Sequence, residues 1–528
     1  MENKNPISEE LLADLRSKGV DIDRTLRILE LINQHPQALS PTAMNHRLPS
    51  EGDSRITDRT ELMGVAIAAP LAVAAFEKLN LSRAIGEFAE ARGGTYYFSL
   101  RGLRTLGILL YPQVGYGVLN GGSATTYADE KKNRAIDEGA FEVLREDFFN
   151  IADRAKNLPK GITPAYVEKD GSPGPSFLLL KMRSLLIHAL EYRLLTGDRE
   201  TAVLPLFQMT SLATDGPLQE AYQRYRQDPL LAELIAHTHS DPTRVESAQQ
   251  GLLAALSGSD QGWPRKIFDR AYGQKNRGLA LPGGHGENFR VLEPVYRKLR
   301  GRGIRFVYVG NVDNSGFTVD PVEIALLALQ GAEGAFNFSW RTPLDVKGGV
   351  LVETEEGRLS VADIGQAISA EEVAEQERRG GKVLFNCATG LFDLDYLVPH
   401  LDTIRDELPI RLSEQDKEAG RYAQAEQTTW EILSLMKHPL ILAVAKEKRF
   451  IAAKMLMETL LAGPLGEKIE GSPKISGDLR KTAALLRRGM ENLLETEFGF
   501  TAPDAQGRRR ALGVEELTQA LRGNLGRG

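Results

Sequence analysis

The sequence predicts an α/β protein whose central sheet is mixed but largely parallel, flanked by N- and C-terminal helical regions. Three observations carry this. Between about Leu106 and Pro399 short β-favouring runs alternate with helical patterns, as in "YGVLNGG", "AVLPLFQMTS", "IRFVYVGNVDN" and "KVLFNCATG". Several of these runs end in Gly, Asn or Asp clusters, and in parallel sheets ligands bind beyond such strand ends. On either side of this stretch the apolar residues recur at helical spacing.

Taken in order, Leu11, Leu12 and Leu15, then Leu26, Leu29 and Ile32, mark two short helices over Ser8 to Lys18 and Asp23 to Asn33, with Gly19 stopping the first. Gln37 to Asp58 is rich in Pro, Ser, Asn and charge and reads as a linker. Helices are expected from Glu61 to about Arg92, including a buried one over the apolar run Leu62 to Phe76. The α/β core follows, with a hairpin around Glu355 to Arg358 that makes its sheet mixed. After Leu401 the pattern is helical through Trp430 to Met436, Met455 to Leu461 and Leu485 to Leu493. The expected organisation is therefore 1–58 as helical extension and linker, 59–400 as the α/β domain (core 106–400), and 401–528 as a helical region.

The net charge of −6 offers nothing global to nucleic acid or anionic lipid, so an anionic ligand needs local cations. The basic triplet Arg508 to Arg510 has no interleaved aromatic residues and reads as a solvated turn. Cys387 is the sole cysteine, which excludes an intrachain disulfide and fits a reducing compartment; with no nearby His it reads as packing. "MENKNPISEE" lacks a signal pattern, and the run Leu62 to Phe76, 15 residues with Pro70 inside, is shorter than the roughly 20 that a membrane span needs. A cytoplasmic protein without nucleic-acid or membrane partners is expected; oligomeric state is open.

Three clusters could carry chemistry. In "YGVLNGGSATTYADEKKNR" the pair Gly121 and Gly122 lets backbone amides approach phosphate oxygens, with Lys131, Lys132 and Arg134 nearby. A plain tight turn beside a solvated helix fits the same residues, and neither a P-loop nor G-x-G-x-x-G is present. In "LPGGHGENF" three glycines surround His285, as a ligand-binding or a structural histidine. In "YVGNVDNSGFTVDP" the strand ends in Asn311, Asp313 and Asn314, as oxygen ligands for Mg2+ or as turn caps.

Together these motifs resemble the UTP-dependent sugar-1-phosphate uridylyltransferases, the UDP-glucose and UDP-N-acetylglucosamine pyrophosphorylase group. "LNGG" at 119–122, "FQMTS" at 207–211, "QQG" at 249–251, "PGGHG" at 282–286, "NVDN" at 311–314, "DVKGGVLV" at 345–352 and "FN" at 385–386 fall in the family's order across about Leu106 to Lys454. The resemblance implies a Rossmann-like nucleotidyltransferase domain, UTP and a sugar-1-phosphate as substrates, and Mg2+. It places Leu119, Asn120, Gly121, Gly122, Gln250, Gly284 and His285 at the nucleotide, Asn311, Lys347 and Asn386 at the sugar phosphate, Asp313 at the metal, and Lys132 and Lys454 on the phosphates. For Lys454 a surface lysine on an amphipathic helix fits equally.

The sequence also departs from the family. Ala124, Thr126 and Ala128 replace residues of its glycine loop, and no proline precedes a lysine in the expected register, where Asn133 stands just beyond Lys131 and Lys132. Its "FNTNN" is here "FNCAT", and its C-terminal β-helix has no counterpart. Glucose-1-phosphate is the expected sugar through "DVKGG", with N-acetylglucosamine-1-phosphate second; a non-catalytic UDP-sugar-binding relative is the rival.

Overall fold

The computed structural model describes residues 7–34, 46–50, 52–81, 83–124, 126–342, 344–345, 348–365, 368–505 and 507–527. Positions 37–45 and 51 of the expected linker, and Lys347, lie outside them.

Ten strands form the central sheet: β1 (Ile56–Asp58), β2 (Val114–Leu119), β3 (Leu206–Ser211), β4 (Glu246–Gln250), β5 (Phe306–Asn311), β6 (Gly334–Trp340), β7 (Gly349–Glu353), β8 (Leu359–Asp363), β9 (Leu384–Asp393) and β10 (Pro439–Val444). Their order is β1-β10-β6-β9-β5-β2-β3-β4, with the β7–β8 hairpin attached to β9. The pairs β5–β2, β2–β3, β3–β4, β6–β10 and β1–β10 are parallel, whereas β9 runs antiparallel to both β5 and β6. The expected hairpin around 355–358 is the β7–β8 turn.

Strand alternation builds two cores. Phe306 and Tyr308 of β5 pack into one, and Val307 and Val309 into the other, because neighbouring side chains leave opposite faces of a sheet. β2 is buried at all six positions, as parallel strands covered on both faces are. On the first face lies the long helix Phe177–Thr196, capped by Ser176 and buried at every position from Phe177 to Tyr192. On the second lie Glu293–Gly301 and Leu394–Glu407.

The apolar run Leu62 to Phe76, expected as one helix, is strand Gly64–Ala68 followed by helix Ala69–Lys78. Pro70 explains the break: it is tolerated in the first turn of a helix and not in its middle. The strand forms a small antiparallel sheet with Thr95–Ser99, whose other neighbour is Ala89–Arg92, where helix was also expected. The run "GLALPGGHG" contributes Ala280–Pro282 to a separate two-stranded sheet with Leu252–Ala254. Beyond Leu401 the chain is not purely helical, since Arg411–Lys417 pairs with Gly420–Glu426 and β10 completes the central sheet. Leu440, Ile441 and Leu442 are a continuous apolar run, which period alone does not separate from buried helix. The helices Leu456–Ala462, Gly477–Thr496 and Val514–Arg527 follow. Among the described residues no helix is long and apolar enough to cross a membrane.

Candidate active site

β2, β3, β4 and β5 run in parallel, so their carboxyl ends, at Leu119, Ser211, Gln250 and Asn311, share one edge of the sheet. Antiparallel β9 places its beginning, with Asn386, at that edge. There a cavity of about 270 Å³ is lined by His285, Asn311, Asp313, Asn386 and Lys454 among others. Five of the expected site residues therefore meet in one place.

The glycine loop joins this cavity from two sides. The side chain of Gln250 donates to the Gly284 carbonyl at 2.6 Å, and a Cβ added at Gly121 would lie 3.4 Å from Gln250 Oε1. Gly284 holds φ +85° with the Gln427 backbone pressed against its Cα, so a side chain there would be strained and blocked. Gly122 accepts at its carbonyl from the Lys160 amide at 3.1 Å. Lys160 then forms a part-buried ion pair with Asp313. Gly121, Gln250 and Gly284 thus form one cluster next to His285, and Gly122 and Lys160 form a second that reaches Asp313; of these residues only Asp313 lines the cavity itself. Leu119 and Asn120 lie beneath: Leu119 is in the core, and the buried Asn120 side chain donates to Gln208 Oε1 at 3.2 Å and accepts from the Gly161 amide at 3.3 Å.

Lys160 is a cation that the sequence reading did not single out. It follows Pro159, so a proline-lysine pair does exist, displaced by the insertion of helices Glu130–Arg134, Glu138–Val143 and Arg145–Ala155. A bridge between Ser123 and Pro159 closes that excursion. Lys132 is exposed inside the insertion, its Nζ 3.4 Å from Thr126 Oγ1; neither lysine is among the cavity-lining residues, but Lys160 pairs with Asp313, which is. Asn133, at the expected register, instead accepts from the Met457 amide at 2.8 Å and donates to the Tyr127 carbonyl. That docks the insertion onto the helix that follows Lys454.

The Asn311–Phe317 turn is held from below. Asn314, fully buried, accepts from the amides of Gly316 and Ile451 and donates to the carbonyls of Cys387 and Arg449. Lys181, 2% exposed on the long helix, donates to the carbonyls of Asn314 and Phe317 at 2.7 and 3.0 Å. Burial pushes its ammonium down to about 7, against the pull of Asp313. Cys387 is buried and burial raises its thiol to about 12, in keeping with packing.

His285 is half-buried and accepts at Nδ1 from the Thr429 amide at 2.9 Å. Desolvation, reinforced by the charges of Arg411 and Lys454, holds it down to about 4. At neutral pH the ring is uncharged with its proton on Nε2, a donor rather than a cation. The Asn386 side-chain oxygen accepts from the Ala388 amide at 2.9 Å, which leaves its NH2 group for a ligand. Arg411, Asp363, Thr428 and Trp430 also line the cavity, and Arg411 pairs with Asp363 at 2.6 Å. No motif in the sequence marks them, since they come together only when the 411–426 hairpin packs beside β8.

Among the described residues no group of three or more His, Cys, Asp or Glu is placed to hold a metal. A single carboxylate, Asp313, suits Mg2+, which takes most of its oxygen ligands from phosphates and water.

The sequence profile of a family described as UTP--glucose-1-phosphate uridylyltransferase matches residues 185–463. A UTP--glucose-1-phosphate uridylyltransferase of Astragalus penduliflorus is 30% identical over 146 residues, 26% of this chain and 31% of that protein. One from Pyrus pyrifolia is 23% identical over 241 residues, 44% of this chain and 50% of that protein. The chain thus spans a third to a half of the length of these curated relatives. A uridine diphosphate N-acetylglucosamine pyrophosphorylase structure from Trypanosoma brucei superposes with TM-score 0.54 at 15% identity, covering 98% of this chain and 91% of that one. A UDP-glucose phosphorylase from the same organism gives 0.52 at 15% identity, over 95% and 81%. At these identities the structures show a shared fold.

Proposed function

We propose that this chain, which belongs to the UTP--glucose-1-phosphate uridylyltransferase family, transfers a uridylyl group from UTP to a sugar-1-phosphate, most directly glucose-1-phosphate. A sugar-phosphate oxygen attacks the α-phosphorus of UTP, the bond from that phosphorus to the β-phosphate oxygen breaks, and pyrophosphate leaves. Such a step demands alignment and charge neutralisation rather than a covalent enzyme intermediate.

The observation that carries the reading is the convergence of Asp313, His285, Asn311, Asn386 and Lys454 on one cavity, with Lys160, hydrogen-bonded to Gly122, paired to its Asp313. In this reading Gln250 and the Gly284 backbone hold the uracil. The bare amides of Gly121 and Gly122 face the triphosphate, and Lys160 takes the role expected of Lys132, with Lys454 opposite. Neutral His285 donates from Nε2 to a phosphate oxygen, while Asn311 and Asn386 orient the sugar phosphate. Lys347, in "DVKGG", is retained on the sugar side from the family resemblance. Asp313 would hold Mg2+, which would supply neutralisation of phosphate charge. Ala388, at φ +50° in the cavity wall, is a small side chain at the sugar end and favours N-acetylglucosamine-1-phosphate as the second substrate to try.

Pyrophosphate release from UTP with a panel of sugar-1-phosphates tests this. Glucose-1-phosphate is expected to support turnover, and Asp313→Ala to abolish the Mg2+-dependent rate. UDP-glucose binding without turnover on any sugar phosphate would favour a non-catalytic relative.

A further inference from the structure

On the opposite edge of the sheet, where β10 begins, lies a second cleft of about 500 Å³. It lies at the far end of β10 from the cavity above, and the two share strand β8, which gives Leu359 to this cleft and Val361 and Asp363 to the other. Its rim carries Arg55, Arg358, Lys437 and His438, and no carboxylate lines it among the described residues. Carboxylates stand just behind the rim: Asp53 and Glu353 pair with Arg55, and Glu333 accepts from the backbone amides of Lys437 and His438 at 2.6 and 3.0 Å.

The basic side chains are not equivalent. Arg55 is committed to Asp53 and Glu353 at 2.5 and 2.9 Å and serves as a wall. Among the described residues no ion pair engages Arg358, Lys437 or His438, all three exposed. One nitrogen of Arg358 donates to the Ser434 carbonyl at 3.2 Å, which steadies the guanidinium and leaves its other donors available. Ser54, Thr57 and Gln330 add polar groups to the rim, while the buried side chains of Leu433, Met436 and Leu440 form an apolar floor.

We propose that this cleft is a second ligand site that takes an organic phosphate monoester. Arg358 and Lys437 receive the phosphate, with guanidinium and ammonium donors suited to its oxygens. The floor receives the organic part, and the volume falls within the range of small-molecule sites, roughly 300 to 1,000 Å³. Nothing in this site depends on the uridylyltransferase reading.

Calorimetric titration of the full chain with phenyl phosphate and with inorganic phosphate tests it. Phenyl phosphate is expected to bind saturably and more tightly than inorganic phosphate. R358Q/K437Q is expected to weaken phenyl phosphate about tenfold, while the charge-conserving R358K/K437R variant and the distant K160Q leave it unchanged. Unaltered binding in R358Q/K437Q, equal affinity for the two probes, or loss of all saturable binding in K160Q would overturn the proposal.

Discussion

The Asn311–Asn314 strand end lines the cavity and the Gly121–Lys160 loop meets it through the Lys160–Asp313 pair, and the two reach it by opposite routes. At the strand end four successive residues supply Asn311, Asp313 and Asn314, and the turn is fixed by hydrogen bonds from β9, from the 449–451 segment and from Lys181. The loop, by contrast, collects its glycines and its lysine from positions 38 residues apart and joins them through the Ser123–Pro159 bridge. A contiguous turn keeps its chemistry visible in the sequence. A loop closed by tertiary contacts hides it.

The largest effect expected from this difference separates two lysines. Lys160→Ala should lower kcat/KM for UDP-sugar formation by roughly 10²- to 10³-fold, the scale of losing a charge-stabilising donor. Lys132→Ala, at an exposed site, should change it by no more than about twofold. Steady-state pyrophosphate release on both variants decides whether the loop's cation sits before or after the insertion.

At the strand end the corresponding probe is Asn314→Ala. It leaves the amides of Gly316 and Ile451 and the carbonyl of Arg449 without this partner, and should cost about 3 kcal/mol in denaturant unfolding. A loss below about 1 kcal/mol would show that the turn holds its shape without this asparagine.

A smaller effect follows from His285. Its folded-state pKa of about 4 lies below the ordinary 6.5, so the unfolded chain binds more protons between those values. Its contribution to stability is present above pH 6.5 and is lost as pH falls towards 4. For a half-buried ring this amounts to roughly 1 to 2 kcal/mol. Comparing unfolding free energies of the parent and His285→Gln between pH 4 and 7 isolates the term, because the other carboxylates titrate alike in both.

The smallest effect belongs to Gly122. A Cβ there meets nothing within 4 Å, so Gly122→Ala should leave thermal stability unchanged. If phosphate oxygens approach that backbone, UTP should nonetheless bind about tenfold more weakly. Equal losses in stability and in binding would make the glycine a structural feature.

These contrasts also explain how much could be read in advance. The β runs ending at Asn120, Ser211 and Asn314 were legible because strand periodicity and terminal polar clusters are local, and the parallel sheet then aligns their ends. Strand β10 was not, because its continuous apolar run is shared by buried helices. The segment 64–78 misled because Val65 and Ile67 merge with the helix that begins around Pro70. Lys160 was hidden by the length of the insertion, and Arg411 and Trp430 by the absence of any local pattern linking a hairpin to the segment that follows it.

A structure of the chain with UDP-glucose bound tests the proposed nucleotide cavity most directly. The uracil should lie against Gln250 and Gly284, the diphosphate between the Gly122 backbone and the Lys160 ammonium, and the hexose towards Asn386. A nucleotide seated away from this cavity, or phosphates gathered on Lys132 with Lys160 still closed on Asp313, would contradict it.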